Sequence, residues 1–262
     1  MRSAPELASA VVRGLVDHNL AEVRALFAGP VDIDDPFHGR QVERAFEDLV
    51  LHWRPMQAAT FESVEVDFSA FASGFVATEM RLHLRRGGKP LQLPVVAVSE
   101  IGEEGKFRRT RLYYRRAHID GRQHHRARML EAEISFDFHP TLRRYQDALQ
   151  VRDLEAYLAT FAEEGYFDGH GGSQNLYDGL GMGRYEGRHG LRAGLGQMMS
   201  IGSKENPGRR LEHVNAFSDG RTTVLEFNIL RPQEPHVHAG VACYELDEDG
   251  LLLGARVYDE AW

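Results

Sequence analysis

Two stretches decide the fold when they are laid over one another: Pro94–Ala117, PVVAVSEIGEEGKFRRTRLYYRRA, and Ala239–Trp262, AGVACYELDEDGLLLGARVYDEAW. At an offset of 145, without gaps, seven of 24 positions are identical: Val96/Val241, Ala97/Ala242, Glu100/Glu245, Glu103/Glu248, Gly105/Gly250, Arg111/Arg256 and Tyr113/Tyr258. Chance gives about one or two. Each stretch reads as an apolar strand, an acidic turn ending in Gly, and a second strand with Arg and Tyr two residues apart. That is a β-hairpin signature.

Working outward, the match continues with small shifts. Asn19–Ala28 (NLAEVRALFA) overlies Asp153–Ala162 (DLEAYLATFA) at offset 134. Asn19 and Asp153 each read as the N-cap of a short second helix. The same offset sets Asp34 over Asp168. Gly39-Arg40 and Arg44-Ala45 overlie Gly187-Arg188 and Arg192-Ala193 at offset 148, and Glu79 overlies Glu226 at offset 147. The second copy therefore carries about 14 extra residues inside the Gly-rich stretch 169–187, which reads as a loop or lid. Each copy is expected to run helix, helix, short loop, helix, then three or four long strands. The expected organisation is a first domain over residues 1–120, a linker over 121–138 and a second domain over 139–262. The run Arg122-Gln-His-His-Arg-Ala-Arg reads as solvated linker.

The segments DLEAYLATFAEEGYF, the Gly187-Arg188…Arg192-Ala193 helix start and the terminal hairpin resemble the nuclear-transport-factor-2-like superfamily, and within it the SnoaL-like proteins. The resemblance covers residues 142–262 and, more weakly, 7–117. It implies an α+β fold: two cone-shaped, curved antiparallel sheets with N-terminal helices (the cystatin-like α+β barrel), here as a tandem pseudo-dimer. It implies little about the reaction, since the superfamily includes polyketide cyclases, ketosteroid isomerase, limonene epoxide hydrolase, dehydratases and non-catalytic binders.

Composition narrows the partners. The 262 residues carry a net charge of −8 and a sequence pI of about 5.9, which argues against nucleic acid or an anionic membrane as partner. Cys243 is the sole cysteine and lies in an apolar strand pattern, so disulfides and Cys zinc clusters are excluded within the chain. Met1-Arg-Ser-Ala-Pro-Glu has no signal h-region, and no apolar run approaches the ~18 residues of a membrane span. The expectation is a cytoplasmic protein without cofactor, monomeric as an intramolecular pseudo-dimer or a homodimer.

The hollow of such a cone places inward polar groups in low dielectric, where a carboxyl group can work as acid or base near neutrality. The leading catalytic candidates are His238 and Asp259. With the turn centred near Glu248-Asp249, residue 259 is expected opposite 238 or 239. The resemblance supports the pair, because SnoaL-like cyclases carry a His and an Asp on the two strands of this hairpin, with the Asp after an aromatic residue, as in Tyr258-Asp259. The alternative is a strand-end Asp and a solvent-facing His, and a one-residue slip exchanges the faces. The matching positions in the first copy are Leu93 and Tyr114, so that pair is absent there.

Glu226, Asn228, Tyr258, Asp168, His170 and Tyr177 are the candidate substrate-binding residues of the second copy, with Tyr185 as a further lid residue. The first copy offers Asp35, His38 and Glu79. Asp35-Pro36 resembles the Asp-Pro of ketosteroid isomerase, whose Asp is the base, although Asp-Asp-Pro is also ordinary turn chemistry. The recurring Glu79/Glu226 and Arg111/Arg256 read first as buried Glu–Arg pairs bridging strands. His236-x-His238 could offer two imidazoles to a metal, with His170, His189 or Glu226 as a third ligand, but no metal site is expected from the spacing. Three functions are consistent with these residues. One is a cofactor-independent acid–base enzyme (isomerase, cyclase, dehydratase or epoxide hydrolase) on a small apolar carbonyl or polycyclic compound. The others are a non-catalytic binder of a small apolar molecule, and a structural pseudo-dimer with filled cavities.

Overall fold

A computed structural model describes residues 4–120, 129–130, 134–169, 183–205, 210–230 and 238–259. The chain divides into two compact units, Met1–His124 and His125–Ala261. The first contains α1 (Ala4–Val16), α2 (Leu20–Ala25), β1 (Asp32–Asp35), β2 (Gly39–Val42), α3 (Ala45–Leu51), α4 (Arg54–Ala58), β3 (Thr60–Ala72), β4 (Phe75–Arg86), β5 (Lys89–Ile101), β6 (Phe107–Tyr113) and α5 (Ala117–Asp120). The second contains α6 (Pro140–Val151), α7 (Leu154–Leu158), β7 (Phe161–Gly169), β8 (Arg184–Glu186), α8 (Gly187–Glu205), β9 (Arg210–Ser218), β10 (Thr222–Leu230), β11 (His238–Leu246) and β12 (Leu252–Tyr258).

Each unit holds a six-stranded curved sheet, ordered β2-β1-β6-β5-β4-β3 in the first and β8-β7-β12-β11-β10-β9 in the second. The two orders are the same order. The registers agree residue by residue with the hairpin alignment: Val96 faces Tyr113 and Glu79, and Val241 faces Tyr258 and Glu226. Even the bulges recur, at Glu100/Ile101 and at Glu245/Leu246. Duplicated sequence has therefore kept duplicated pairing, which is what a pattern with one buried face enforces.

Local chemistry explains the helices. Along α1, Ala8, Val11, Val12 and Leu15 recur at helical spacing and are all fully buried. The two N-caps form as read: the Asn19 side chain accepts from the Glu22 N–H at 3.1 Å and Asp153 from the Ala156 N–H at 3.0 Å. In the second unit Tyr145 of α6 anchors an aromatic cluster, with ring centroids 4.5 Å from Tyr157, 6.0 Å from Phe161 and 5.2 Å from Tyr244. Cys243 is buried on β11.

Three expectations need correction. The short loop expected between the second and third helices contains the β1–β2 hairpin, and β1 pairs in parallel with β6 (Asp34 beside Arg111), just as β7 pairs with β12 (Asp168 beside Arg256). These strands are too short to show alternation on their own, and their partner lies far along the chain. The Gly39-Arg40 match to Gly187-Arg188 is not structural: Arg40 faces Asp34 and Arg184 faces Asp168, so Arg40 corresponds to Arg184. A repeated dipeptide carries no periodicity and cannot set a register. Part of the expected linker also packs into the second unit, where the Ile134 N–H bonds the His213 carbonyl at 2.8 Å and the Phe138 ring lies 5.2 Å from the His213 ring.

Candidate functional site

The sheet faces are assigned by packing. Tyr244 of β11 meets Tyr145 of α6 and accepts a hydrogen bond from Gln146 Nε2 at 3.1 Å, so it points at the helices. Burial pushes its phenol pKa well above the usual value, with the neighbouring Tyr145 adding to the effect. Side chains alternate along β11 without a register shift between residues 238 and 244, so His238, Gly240, Ala242 and Tyr244 share that helix-facing side. A side chain at Gly240 would come 2.9 Å from Asp259 Cβ, which puts Asp259 on the same side. His238 and Asp259 therefore rise from neighbouring strands on the inner wall, and both are buried.

The register differs from the expectation. The tip pairs Leu246 with Leu252, but the bulge beyond it pairs Glu245 with Gly254 and Val241 with Tyr258, so the next position sets Asp259 opposite Gly240 and not opposite 238 or 239. The extra residue of the bulge moves the ladder by one. His238 and Asp259 become diagonal neighbours, within reach of long side chains. Gly240 lies between them. Its missing side chain makes room for the Phe227 ring, 2.7 Å from where a Cβ would sit. Gly240→Ala is expected to displace Phe227 or Asp259 and to lower stability by roughly 1–3 kcal/mol, read from urea midpoints. An unchanged midpoint would contradict this packing.

Other candidates do not join the pair. Glu226 and Tyr258 both face Val241, and Asn228 lies two residues from Glu226, so these three sit on the opposite side of the sheet from His238 and Asp259. There Glu226 accepts from Asn215 Nδ2 at 2.7 Å, and Asn228 donates to Glu212 Oε2 at 2.9 Å and to the Leu130 carbonyl at 3.2 Å. Asp168 is on that outer side too, 3.9 Å from the Arg184 guanidinium and level with Arg256. Glu79 is buried at the equivalent outer position of the first unit. An ion pair recurs in both copies as Arg111–Glu100 and Arg256–Glu245, the latter at 3.4 Å. Tyr185 packs its ring over Gly194 of α8, and burial raises the pKa of its hydroxyl. His170, Tyr177 and His236 lie outside the described residues.

The first unit builds a different constellation. Asp35 ends β1, fully buried. Its Oδ1 accepts from the Phe37 N–H at 3.0 Å, the His38 N–H at 3.1 Å and His38 Nδ1 at 2.8 Å. Its Oδ2 accepts from Trp53 Nε1 at 2.9 Å and the Tyr114 hydroxyl at 2.6 Å. Burial alone raises its pKa, but the His38, Tyr114 and Trp53 hydrogen bonds and the nearby imidazole outweigh burial and hold it below the ordinary value. A carboxylate so fully engaged holds others in place and is a weak proton acceptor. The turn reading of Asp-Asp-Pro thus describes only half of Asp35. Its contacts to Trp53 and Tyr114 are new, and the sequence signal for them was the parity that separates Tyr114 from Tyr113.

Arg111 and Arg256 define equivalent levels, so Asp35 corresponds to Gly169 and Tyr114 to Asp259. Each inner wall thus carries a buried carboxylate, Asp35 at the end of β1 in the first unit and Asp259 just after β12 in the second, two residues apart in level.

Residues 142–254 match the family model of the SnoaL-like domain. Similar solved structures include a bacterial protein with a cystatin-like fold from Silicibacter pomeroyi DSS-3, 21% identical over 47% of this chain and 74% of its own, with a TM-score of 0.35. A protein with a ketosteroid isomerase-like fold from Catenulispora acidiphila, in complex with trimethylamine, is 10% identical over 47% of this chain and 86% of its own, with a TM-score of 0.35. A SnoaL-like protein from Burkholderia thailandensis is 12% identical over 45% of this chain and 90% of its own, with a TM-score of 0.34. No curated protein matches the chain.

Proposed function

We propose that the second domain, whose residues 142–254 match the family model of the SnoaL-like domain, is a cofactor-independent acid–base catalyst for a small, mostly apolar carbonyl or polycyclic compound. One observation carries the reading: His238 and Asp259 emerge side by side on the helix-facing wall of the second sheet, both buried. A buried His–carboxylate pair suits the removal of a proton next to a carbonyl and its return elsewhere on the molecule, or the activation of a water. The wall around them is apolar: Phe227 and Ile229 on β10, Ala242 on β11 and the Tyr145 cluster on the helices. Such a lining binds a hydrocarbon body and leaves orientation to the few polar groups. Isomerisation, cyclisation, dehydration and epoxide opening all fit this arrangement.

The test uses the full chain with a panel of fused-ring ketones and epoxides. Binding is followed by native mass spectrometry and turnover by chromatography. The expected result is at least one compound that is bound and converted, with conversion lost and binding kept in Asp259→Asn. A compound bound by the wild type with no conversion anywhere in the panel would overturn the enzymatic reading in favour of a carrier.

A further inference from the structure

The first domain has a cavity that this reading leaves unused. It measures ≈ 140 Å³, is open to solvent on one side, and is lined by Phe37, Arg54, Gln57, Ala58 and Ile119, of which Arg54 and Gln57 are exposed. An enclosed apolar cavity of about 150 Å³ holds one benzene ring, so this open pocket has room for a single ring with its polar group towards the solvent side. The charge around it is positive. Arg54 Cζ lies 5.7 Å and Arg116 Cζ 5.9 Å from the centre of the Phe37 ring. Arg54 also lines the cavity, and its guanidinium offers the planar fork that carboxylates match. The Gln57 side-chain oxygen accepts from Arg54 Nη1 at 3.3 Å, steadying the fork and leaving the Gln57 amide N–H groups as further donors.

The floor is held rigidly. The Phe37 N–H is bonded to Asp35 Oδ1 at 3.0 Å, and the Phe37 ring lies 6.3 Å from the Tyr114 ring, whose hydroxyl is bonded to Asp35 Oδ2. A buried carboxylate with five donors thus fixes the apolar surface beneath the cavity, the kind of support that keeps a binding site preformed. Both oxygens of Asp35 are engaged by donors within the floor, and Arg54 is the cation that lines the cavity above it.

We propose that the first domain binds a small aromatic carboxylate in this cavity, its ring against Phe37 and its carboxylate on the Arg54 guanidinium. The site is separate from His238 and Asp259 and does not rest on the reading given to them. Asp35 is its positioning residue.

The test titrates the full chain with benzoate. It follows the indole N–H signal of Trp53, which donates to Asp35 and lies edge-on to Tyr114 with ring centroids 6.1 Å apart. A saturable shift is expected, weakened at least tenfold for neutral benzamide and at least tenfold in Arg54→Gln. The ligand-free Trp53 signal of that variant should stay in place, showing an intact floor. Asp259→Asn should bind benzoate as the wild type does. The proposal fails if benzoate causes no saturable shift, if benzamide or Arg54→Gln binds equally well, or if Asp259→Asn abolishes binding.

Discussion

Asp35→Ala is expected to destabilise the first domain by about 3–5 kcal/mol, the cost of removing one partner from a buried charged network. The carboxylate is the common acceptor for Trp53 Nε1, the Tyr114 hydroxyl, the His38 imidazole and the N–H groups of Phe37 and His38. Without it the indole, phenol and backbone donors are stranded in a dry interior, each at about 1–3 kcal/mol. Asp35→Asn keeps one oxygen but turns an amide N–H₂ towards donors, so a smaller loss of the same sign is expected. The pH dependence follows from the depressed folded pKa. The contribution is fully present above the unfolded value and is lost as pH falls through the folded value. Urea midpoints followed by near-ultraviolet circular dichroism should therefore fall below about pH 4 in the wild type. The Asp35→Asn curve should lack that component. Equal acid sensitivity in the two proteins would show that Asp35 is not held as a carboxylate.

The second large effect is kinetic. Once a converted compound is in hand, His238→Gln and Asp259→Asn are each expected to lower kcat by ~10²–10⁴, the usual range for a lost general acid or base. The double variant should be little slower than the slower single one, because groups that pass one proton between them act as a unit. Thermal midpoints measured alongside separate a loss of folding from a loss of chemistry. Additive losses in the double variant, or full activity in either single one, would dissolve the pair. Glu226→Gln, on the outer side of the same sheet, is expected to leave the rate constant near that of the wild type.

These expectations divide along the line between local and distant information. The hairpins, the capped second helices and the duplication itself were legible because each depends on residues near one another in the chain. The acidic turns ending in Gly105 and Gly250, the caps at Asn19 and Asp153, and the apolar stripe of α1 are local signals with local causes. That His238 and Asp259 would lie on neighbouring strands was legible as well, though with the register misjudged. The bulge at Glu245/Leu246 adds one residue that no turn residue announces, and it restored the shared face by moving Asp259 opposite Gly240.

The amino-acid sequence alone therefore established two copies of one α+β domain and named His238 and Asp259, since periodicity and turn chemistry are written residue by residue. Tertiary structure decided which side chains share a wall. It separated Glu226, Asn228 and Tyr258 from the pair, and it gathered Asp35, Trp53 and Tyr114 from positions up to 79 residues apart. Strand side chains alternate, so which of two adjacent residues faces the hollow depends on bulges and on partners far along the chain.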